Sequence, residues 1–204
     1  ARLCEAGKDV VLLEAGHYDT QADFNMDEGT AFQRRYQEQG LRATTDLAIT
    51  VLQGIGVGGT TTINWTSCFR TPERILNLWQ ERFGSKLTSD MLRPHFERVE
   101  ERLSIKAWPE ALFNPNNQAL HRGAQKLGWD SKALRRNVKA CINSGYCGMG
   151  CPADAKQGML LTHVPDALKD GLRLYANTEA MRLETQNGKV TTVHARFNKS
   201  TEFK

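Results

Sequence analysis

The first sixteen residues, ARLCEAGKDVVLLEAG, constrain the fold of this chain more than any other stretch. Residues 1–6 have the composition of a helix end, and Gly7 is a typical residue at which a helix stops. Residues 8–16 are short and almost continuously apolar, as in a strand buried within a parallel sheet. A helix that turns directly into such a strand predicts an α/β fold, here with mixed α+β character.

The acidic residue at the end of this strand has a specific meaning if the strand belongs to a Rossmann unit. In that unit an acid at the end of the second strand accepts hydrogen bonds from the ribose hydroxyls of a dinucleotide. Glu14, followed by the small residues Ala15 and Gly16, fits this position. The alternative is a surface glutamate at the end of an ordinary strand, but the helix end and Gly7 before it favour the ribose role. The glycine turn of the unit would then precede Ala1.

A glycine-rich stretch, GIGVGGTTTINW at residues 54–65, has the glycine spacing of a phosphate-binding turn. Gly54, Gly56 and Gly59 have the G-x-G-x-x-G spacing, and residues 47–54 predict a strand before it. A phosphate-binding turn needs a helix directly after its third glycine, whereas TTTIN is rich in β-branched residues. We therefore predict a loop whose backbone closely approaches another group, with tight packing against protein as the alternative.

The middle of the chain, residues 72–128, predicts a mainly helical segment. Pro72 lies near the start of its first helix. The second helix is amphipathic, and its apolar face consists of Leu92, Phe96, Val99 and Leu103. The third has Leu120, Ala124 and Leu127 on the side predicted to face inward.

The last part of the chain predicts a loop, a short helix and strands. A cysteine-rich loop occupies residues 141–152, and Pro165 lies near the start of the helix. Residues 172–197 form a β-hairpin region. Its strands are predicted at 172–176, 180–185 and 189–197, with a hairpin turn at Asn187 and Gly188.

Three of the five cysteines lie close together, in CINSGYCGMGCP. Thiolates on a glycine-rich loop suit a metal or an iron–sulfur cluster, and Cys-Pro often closes such loops. The set Cys141, Cys147 and Cys151 is one ligand short of the common four-cysteine cluster or structural zinc site. A disulfide with one thiol left over, three packed thiols, and zinc all stay open. Cys4 and Cys68 are expected to be small buried apolar residues.

In this order, VVLLEAG, QGIGVGGTTTINW, Arg70 and C-x5-C-x3-C-P resemble the glucose–methanol–choline (GMC) oxidoreductases. These are FAD-dependent enzymes that oxidise alcohols, sugars and related CH–OH donors. The resemblance extends over nearly the whole chain. Ile55 departs from the basic or polar residue usual in the family. The loop positions that match the family pattern are Gly58, Gly59, Thr60, Thr61, Ile63 and Asn64.

The resemblance implies that residues 1–204 are a Rossmann-like FAD-binding domain truncated at both ends, without the glycine fingerprint and most of the substrate domain. Glu14 would bind the adenosine ribose, and the glycine loop would pass along the pyrophosphate and flavin. Asn64 to Ser67 would lie against the isoalloxazine edge, and the backbone near Ala180 against the adenine. The implied FAD-binding residues are Glu14, Ala15, Gly16, Gly54, Val57, Gly58, Gly59, Thr60, Asn64, Trp65, Thr66, Ser67 and Ala180.

The activity implied by the resemblance is hydride transfer from an alcohol carbon to flavin N5. The family's catalytic histidine lies near the C-terminus, beyond the matched segment, so no catalytic residue is assigned and the isolated chain is expected to be inactive. Some relatives hold a three-iron cluster on three similarly spaced cysteines, here Cys141, Cys147 and Cys151. The implied partners are therefore an alcohol or sugar substrate and, with a cluster, an electron-acceptor protein or quinone.

Charge and composition exclude other classes of function. The net charge of +4 comes without a block of like charges, which argues against a nucleic-acid partner. No run reaches the apolar length of a transmembrane helix. The alternatives are a flavoprotein of another oxidoreductase type, a metal- or thiol-binding interaction module without flavin, and a degenerate remnant with an exposed sheet edge.

Overall fold

The computed structural model describes residues 1–203 and divides into two compact units. Ala1–Trp65 and the chain from Ala140 onward form the first unit, and Thr66–Lys139 forms the second. The helices are α1 (Arg2–Glu5), α2 (Glu28–Arg35), α3 (Glu73–Phe83), α4 (Ser89–Arg102), α5 (Pro115–Lys126) and α6 (His163–Lys169). The strands are β1 (Val11–Leu13), β2 (Ser67–Cys68), β3 (Ile105–Ala107), β4 (Arg135–Asn137), β5 (Arg173–Tyr175), β6 (Thr178–Gln186), β7 (Lys189–Phe197) and β8 (Thr201–Phe203).

The parallel sheet of the first unit confirms the prediction made from residues 8–16. β1 pairs in parallel with β5, with Val11 opposite Arg173 and Leu13 opposite Tyr175. Gly7, after α1, has a φ of +69°, as expected of a helix stop. The strand is less enclosed than predicted, since Val11 is exposed. A small core beneath the sheet consists of Cys4, Ala167 and Leu172, with Val10, Leu12 and Leu174 packed against it.

The hairpin predicted near the end of the chain is present. β6 and β7 pair antiparallel on either side of Asn187 and Gly188. These two residues have φ angles of 52° and 74°, as required in a two-residue turn of the type that matches strand twist. β7 also pairs with β8, so the hairpin extends to a three-stranded antiparallel sheet.

The second unit combines the three-stranded sheet β2-β4-β3 with the helices α3, α4 and α5. α3 follows Pro72 and ends at Gly84, which has a φ of +66°. In α4, Glu100 accepts bidentate hydrogen bonds from Arg70 and from Arg135, which tie the helix to the sheet. The inward face predicted for α5 is wrong at Leu120 and Leu127, whereas Ala124 is half-buried as predicted. Leu120 and Leu127 are exposed, because the helix packs through His121 against Phe113 instead.

The strand predicted at residues 47–54 is also wrong. Within residues 1–203 this stretch contributes only isolated bridges, Ala43 with Thr50 and Tyr36 with Gly54. Leu47 adopts a φ of 58°, which interrupts an extended backbone. A local turn around Asp46, whose carboxylate accepts from Thr44 and Ala48, causes this departure. Within residues 1–203, no helix combines the length and the apolar character needed to cross a membrane.

Candidate functional site

Glu14 lies where the parallel sheet meets the glycine loop. Its Oε1 accepts the backbone N–H of Gly16 at 2.8 Å and that of Gly56 at 2.9 Å. Gly16 must be glycine here, because a Cβ atom would lie 2.5 Å from the nitrogen of Gly56. Among the described residues no protein donor reaches the second oxygen, Oε2. The carboxylate is thus held by one oxygen and offers the other as an acceptor.

The glycine loop is shaped by left-handed backbone and by close packing. Gly58 and Gly59 have φ angles of +94° and +55°, which favour glycine. A Cβ atom on Gly54 would lie 2.8 Å from Thr60, and one on Gly58 would lie 2.6 Å from the hydroxyl of Thr62. Both glycines are therefore required by contacts within the protein. Gly59 differs, since a Cβ atom there would meet nothing within 4 Å and its backbone borders open space.

No phosphate-binding helix follows this loop in the described chain. Only a single 3-10 turn, Gly59–Thr62, comes after the third glycine of the spacing. The prediction that GIGVGG is not the Rossmann turn is confirmed. The loop is instead attached to the segment that follows β1 through Val57, whose N–H donates to the carbonyl of His17 at 2.9 Å.

A cavity of about 430 Å³ is bordered by both Glu14 and the glycine loop. Glu14 lines it together with Val57, Gly58 and Gly59, so four of the predicted FAD-binding residues border one space. Most of the remaining lining side chains are apolar, Leu12 among them. A cavity of this volume with a mostly apolar lining and a few polar groups is typical of cofactor pockets.

The turn between β5 and β6 is hydrogen-bonded to the backbone at Glu14 and Gly16. The N–H of Thr178 donates to the carbonyl of Glu14 at 2.7 Å, and that of Asn177 to the carbonyl of Gly16 at 2.8 Å. Ala180 lies two residues beyond Thr178, exposed on the edge strand β6. Ala15 is exposed beside them.

The four residues predicted at the flavin edge fall on both sides of the unit boundary. Asn64 is half-buried and Trp65 exposed in the first unit. Thr66 and Ser67 begin the second unit. Thr66 is fully buried at a φ of 65°, and its hydroxyl accepts from Arg136 at 2.9 Å.

The cysteine loop is held by aromatic and polar side chains of the first unit. The buried hydroxyl of Tyr36 donates to the carbonyl of Gly148 at 2.6 Å, and burial raises the pKa of Tyr36, which keeps this donor protonated. Gly148 and Gly150 accommodate the rings of Trp65 and Phe24, since Cβ atoms would lie 2.5 Å and 2.4 Å from them. The loop is therefore a packed element.

The structure does not bring Cys141, Cys147 and Cys151 together as a metal-binding group. No cluster of three or more ligand side chains is arranged to hold a metal within residues 1–203. The five cysteines, all in that range, form no disulfide, which agrees with the alternative of packed thiols. The arrangement of these described side chains therefore does not support a cluster, and no electron-transfer step is assigned to it. Burial raises the pKa of Cys68, and Cys4 belongs to the core.

One buried cation was missed by the motif analysis. Lys156 is 4% exposed and lies between the glycine loop and the cysteine loop. Burial lowers its pKa to about 8, an effect opposed by the nearby thiols of Cys147 and Cys151. The sequence signal was a lysine within the small and apolar residues of PADAKQGML.

Comparison with known proteins decides the family. The family model described as GMC oxidoreductase, which covers the N-terminal domain, matches residues 32–204. The chain belongs to the GMC oxidoreductase family. This confirms the resemblance, and with it a Rossmann-like, FAD-binding domain of the GMC type. The alternatives of another flavoprotein type and of a flavin-free module are set aside.

Individual GMC relatives are similar over most of the chain. The long-chain-alcohol oxidase FAO4A of Arabidopsis thaliana is 34% identical over 171 residues, which cover 82% of this chain and 23% of the relative. An uncharacterized GMC-type oxidoreductase of Mycobacterium tuberculosis is 32% identical over 200 residues, covering 95% of this chain and 31% of the relative. The chain thus spans about a quarter to a third of the length of these relatives.

A solved structure shares the fold. Pyridoxine 4-oxidase from Mesorbium loti superposes with a TM-score of 0.66 at 17% sequence identity. The match covers 100% of this chain and 44% of that one. The GMC fold inferred from sequence is therefore also found at the level of backbone geometry.

Proposed function

We propose that this protein oxidises alcohols with FAD and that Glu14 holds the adenosine ribose of the cofactor. The observation that carries the proposal is the asymmetric use of the Glu14 carboxylate. Oε1 is fixed by two backbone amides, while Oε2 accepts no hydrogen bond from the described protein residues and Glu14 lines the 430 Å³ cavity. Ribose hydroxyls are donors, and a carboxylate held in one orientation is a suitable acceptor for them.

The backbone beside Glu14 fits an extended cofactor. Gly59 borders open space, so its main chain can be approached closely without a side chain in between. Val57 and Gly58 line the same cavity as Glu14, which supports a path for FAD along the loop. We further propose that Gly54, Thr60, Asn64 and Trp65 follow the flavin half and that the backbone of Ala180 meets the adenine.

The flavin supplies the redox chemistry when bound, accepting hydride from the alcohol carbon. The residues of this chain bind and orient it. None of them is assigned a catalytic role, and we expect the isolated chain not to oxidise alcohols. The similarity to a protein named a long-chain-alcohol oxidase supports an alcohol with a long apolar chain as the substrate class.

The test measures FAD binding by the native full-length protein. Glu14→Ala removes the fixed acceptor, and we expect the FAD dissociation constant to rise by about 10- to 100-fold, the usual effect of losing charge-assisted hydrogen bonds. Glu81→Gln, an exposed glutamate on α3, is the control and should bind like wild type. A wild-type protein without flavin absorbance that does not bind added FAD contradicts the proposal.

A further inference from the structure

The ammonium group of Lys156 is buried, and the proposed function leaves its role unexplained. Its side chain enters the first unit behind the glycine loop and is 4% exposed. A buried charge without partners is strongly destabilising, so its partners identify what it does.

Lys156 donates to three backbone carbonyls, which belong to two separate segments of the chain. Nζ lies 2.7 Å from the carbonyl oxygen of Thr62, 2.8 Å from that of Asn64 and 2.5 Å from that of Cys147. An ammonium group has three N–H donors, and all of them are used here. With every donor engaged by main chain, the side chain is suited to holding loops together and has no donor left for a substrate.

The two segments joined by Lys156 also meet through side chains. The ring of Trp65 rests on Gly148, where a Cβ atom would lie 2.5 Å from Cζ2. Three residues beyond Lys156, the N–H of Met159 donates to the hydroxyl of Thr61 at 2.9 Å, which also holds the chain that carries the lysine against the glycine loop. The charge of Lys156 therefore lies where residues 62–65, at the end of the glycine loop, pack against the turn that begins at Cys147.

We propose that Lys156 is a positioning residue for FAD, which orients Asn64 and Trp65 toward the flavin by fixing the carbonyls of Thr62 and Asn64. This inference rests on the proposed function, because it takes the glycine loop as the FAD loop. Removal of the ammonium group leaves three buried carbonyls without their donor. The chain at Asn64 and Trp65 then loses its anchor.

The experiment compares the full-length wild-type protein with Lys156→Met, which keeps the length of the side chain and removes its charge and donors. We expect the FAD dissociation constant to rise about tenfold or more, and the visible absorption and fluorescence of bound flavin to change. Lys156→Arg restores the charge with a planar group that cannot converge on three carbonyls, so it should recover part of the affinity. Lys169→Met, at the exposed end of α6, is the matched control and should behave like wild type.

The readouts separate positioning from general stability. A merely structural lysine would lower the thermal unfolding midpoint and leave the flavin spectrum and FAD affinity of the folded protein unchanged, a result that overturns the inference. If Lys156→Met does not fold, Lys156→Gln offers only two donors on a shorter side chain and no charge, so FAD affinity should still fall. Wild-type affinity and spectrum in that variant overturn the inference equally. A wild-type protein that does not bind FAD overturns the proposed function as well, whereas flavin-bound wild type with an unaffected variant overturns this inference alone.

Discussion

The carboxylate of Glu14 accepts the backbone N–H of Gly56 at 2.9 Å, and this contact joins the end of the first strand to the glycine loop. Gly16 lies against the same contact, with space for no side chain. We expect Gly16→Ala to separate Glu14 from the loop, weaken FAD binding and lower the unfolding midpoint, because the clash is with backbone that cannot rotate away. FAD titration and thermal unfolding of the full-length protein measure both effects.

Gly123→Ala is the matched control for this substitution. Gly123 lies inside α5, and a Cβ atom there would meet nothing within 4 Å. Alanine is favoured over glycine in a helix by about 0.8–1.0 kcal/mol, so the variant should unfold slightly later and bind FAD unchanged. Equal FAD affinity in both variants would show that the Glu14–Gly56 contact does not shape the cofactor site.

The packing of Trp65 on Gly148 gives a second prediction. Gly148→Ala places a methyl group 2.5 Å from the indole ring, and overpacking of this kind costs about 1–3 kcal/mol. Trp65→Phe shortens the ring and should relieve the clash, so the double variant should lose less stability than the two single losses added together. A double-mutant cycle on unfolding free energies measures the coupling, and strict additivity would contradict the contact.

The cysteine loop gives a third prediction. Since Cys141, Cys147 and Cys151 are not arranged as a metal-binding group, full-length protein purified without oxygen should show flavin absorption alone and contain no stoichiometric iron or acid-labile sulfide. Cys141→Ser should leave FAD affinity and the visible spectrum unchanged. Stoichiometric iron together with broad absorption beyond the flavin bands, both lost in Cys141→Ser, would restore the cluster hypothesis.

The second unit should lose stability in acid because of Glu100. Hydrogen bonds from Arg70 and Arg135 lower the pKa of Glu100 from 4.5 to about 2. Because the folded pKa lies below the unfolded one, the stabilisation is complete above pH 4.5 and is lost as the pH falls from 4.5 toward 2.

Thermal unfolding midpoints of wild type and Glu100→Gln between pH 7 and about pH 3 test this linkage. Wild type should be the more stable protein at pH 7, and the difference between the two should shrink below pH 4.5. Glu81→Gln serves again as an exposed control. A difference that stays constant across this range would contradict the role of the ionised carboxylate.

Local physical chemistry allowed much of the fold to be predicted. Asn187 and Gly188 specify the hairpin because both tolerate positive φ, and Gly7 and Gly84 end helices for the same reason. The apolar run before Glu14 indicated a strand in a parallel sheet. These features depend on neighbours along the chain, so the sequence alone determined them. The family motif is also a matter of residue order and spacing, and it too could be recognised from sequence.

Only the tertiary structure decided which groups meet across long stretches of chain. The use of Glu14 Oε1 by Gly56, and of Lys156 by three carbonyls, depends on how separate loops pack. Residues 47–54 have the composition of a strand, yet the turn at Asp46 and the positive φ of Leu47 prevent one. The cysteine spacing was compatible with a cluster, but within residues 1–203 the three thiols form no metal-binding group. The sequence determines which donors and acceptors are available, and the folded backbone determines the distances between them.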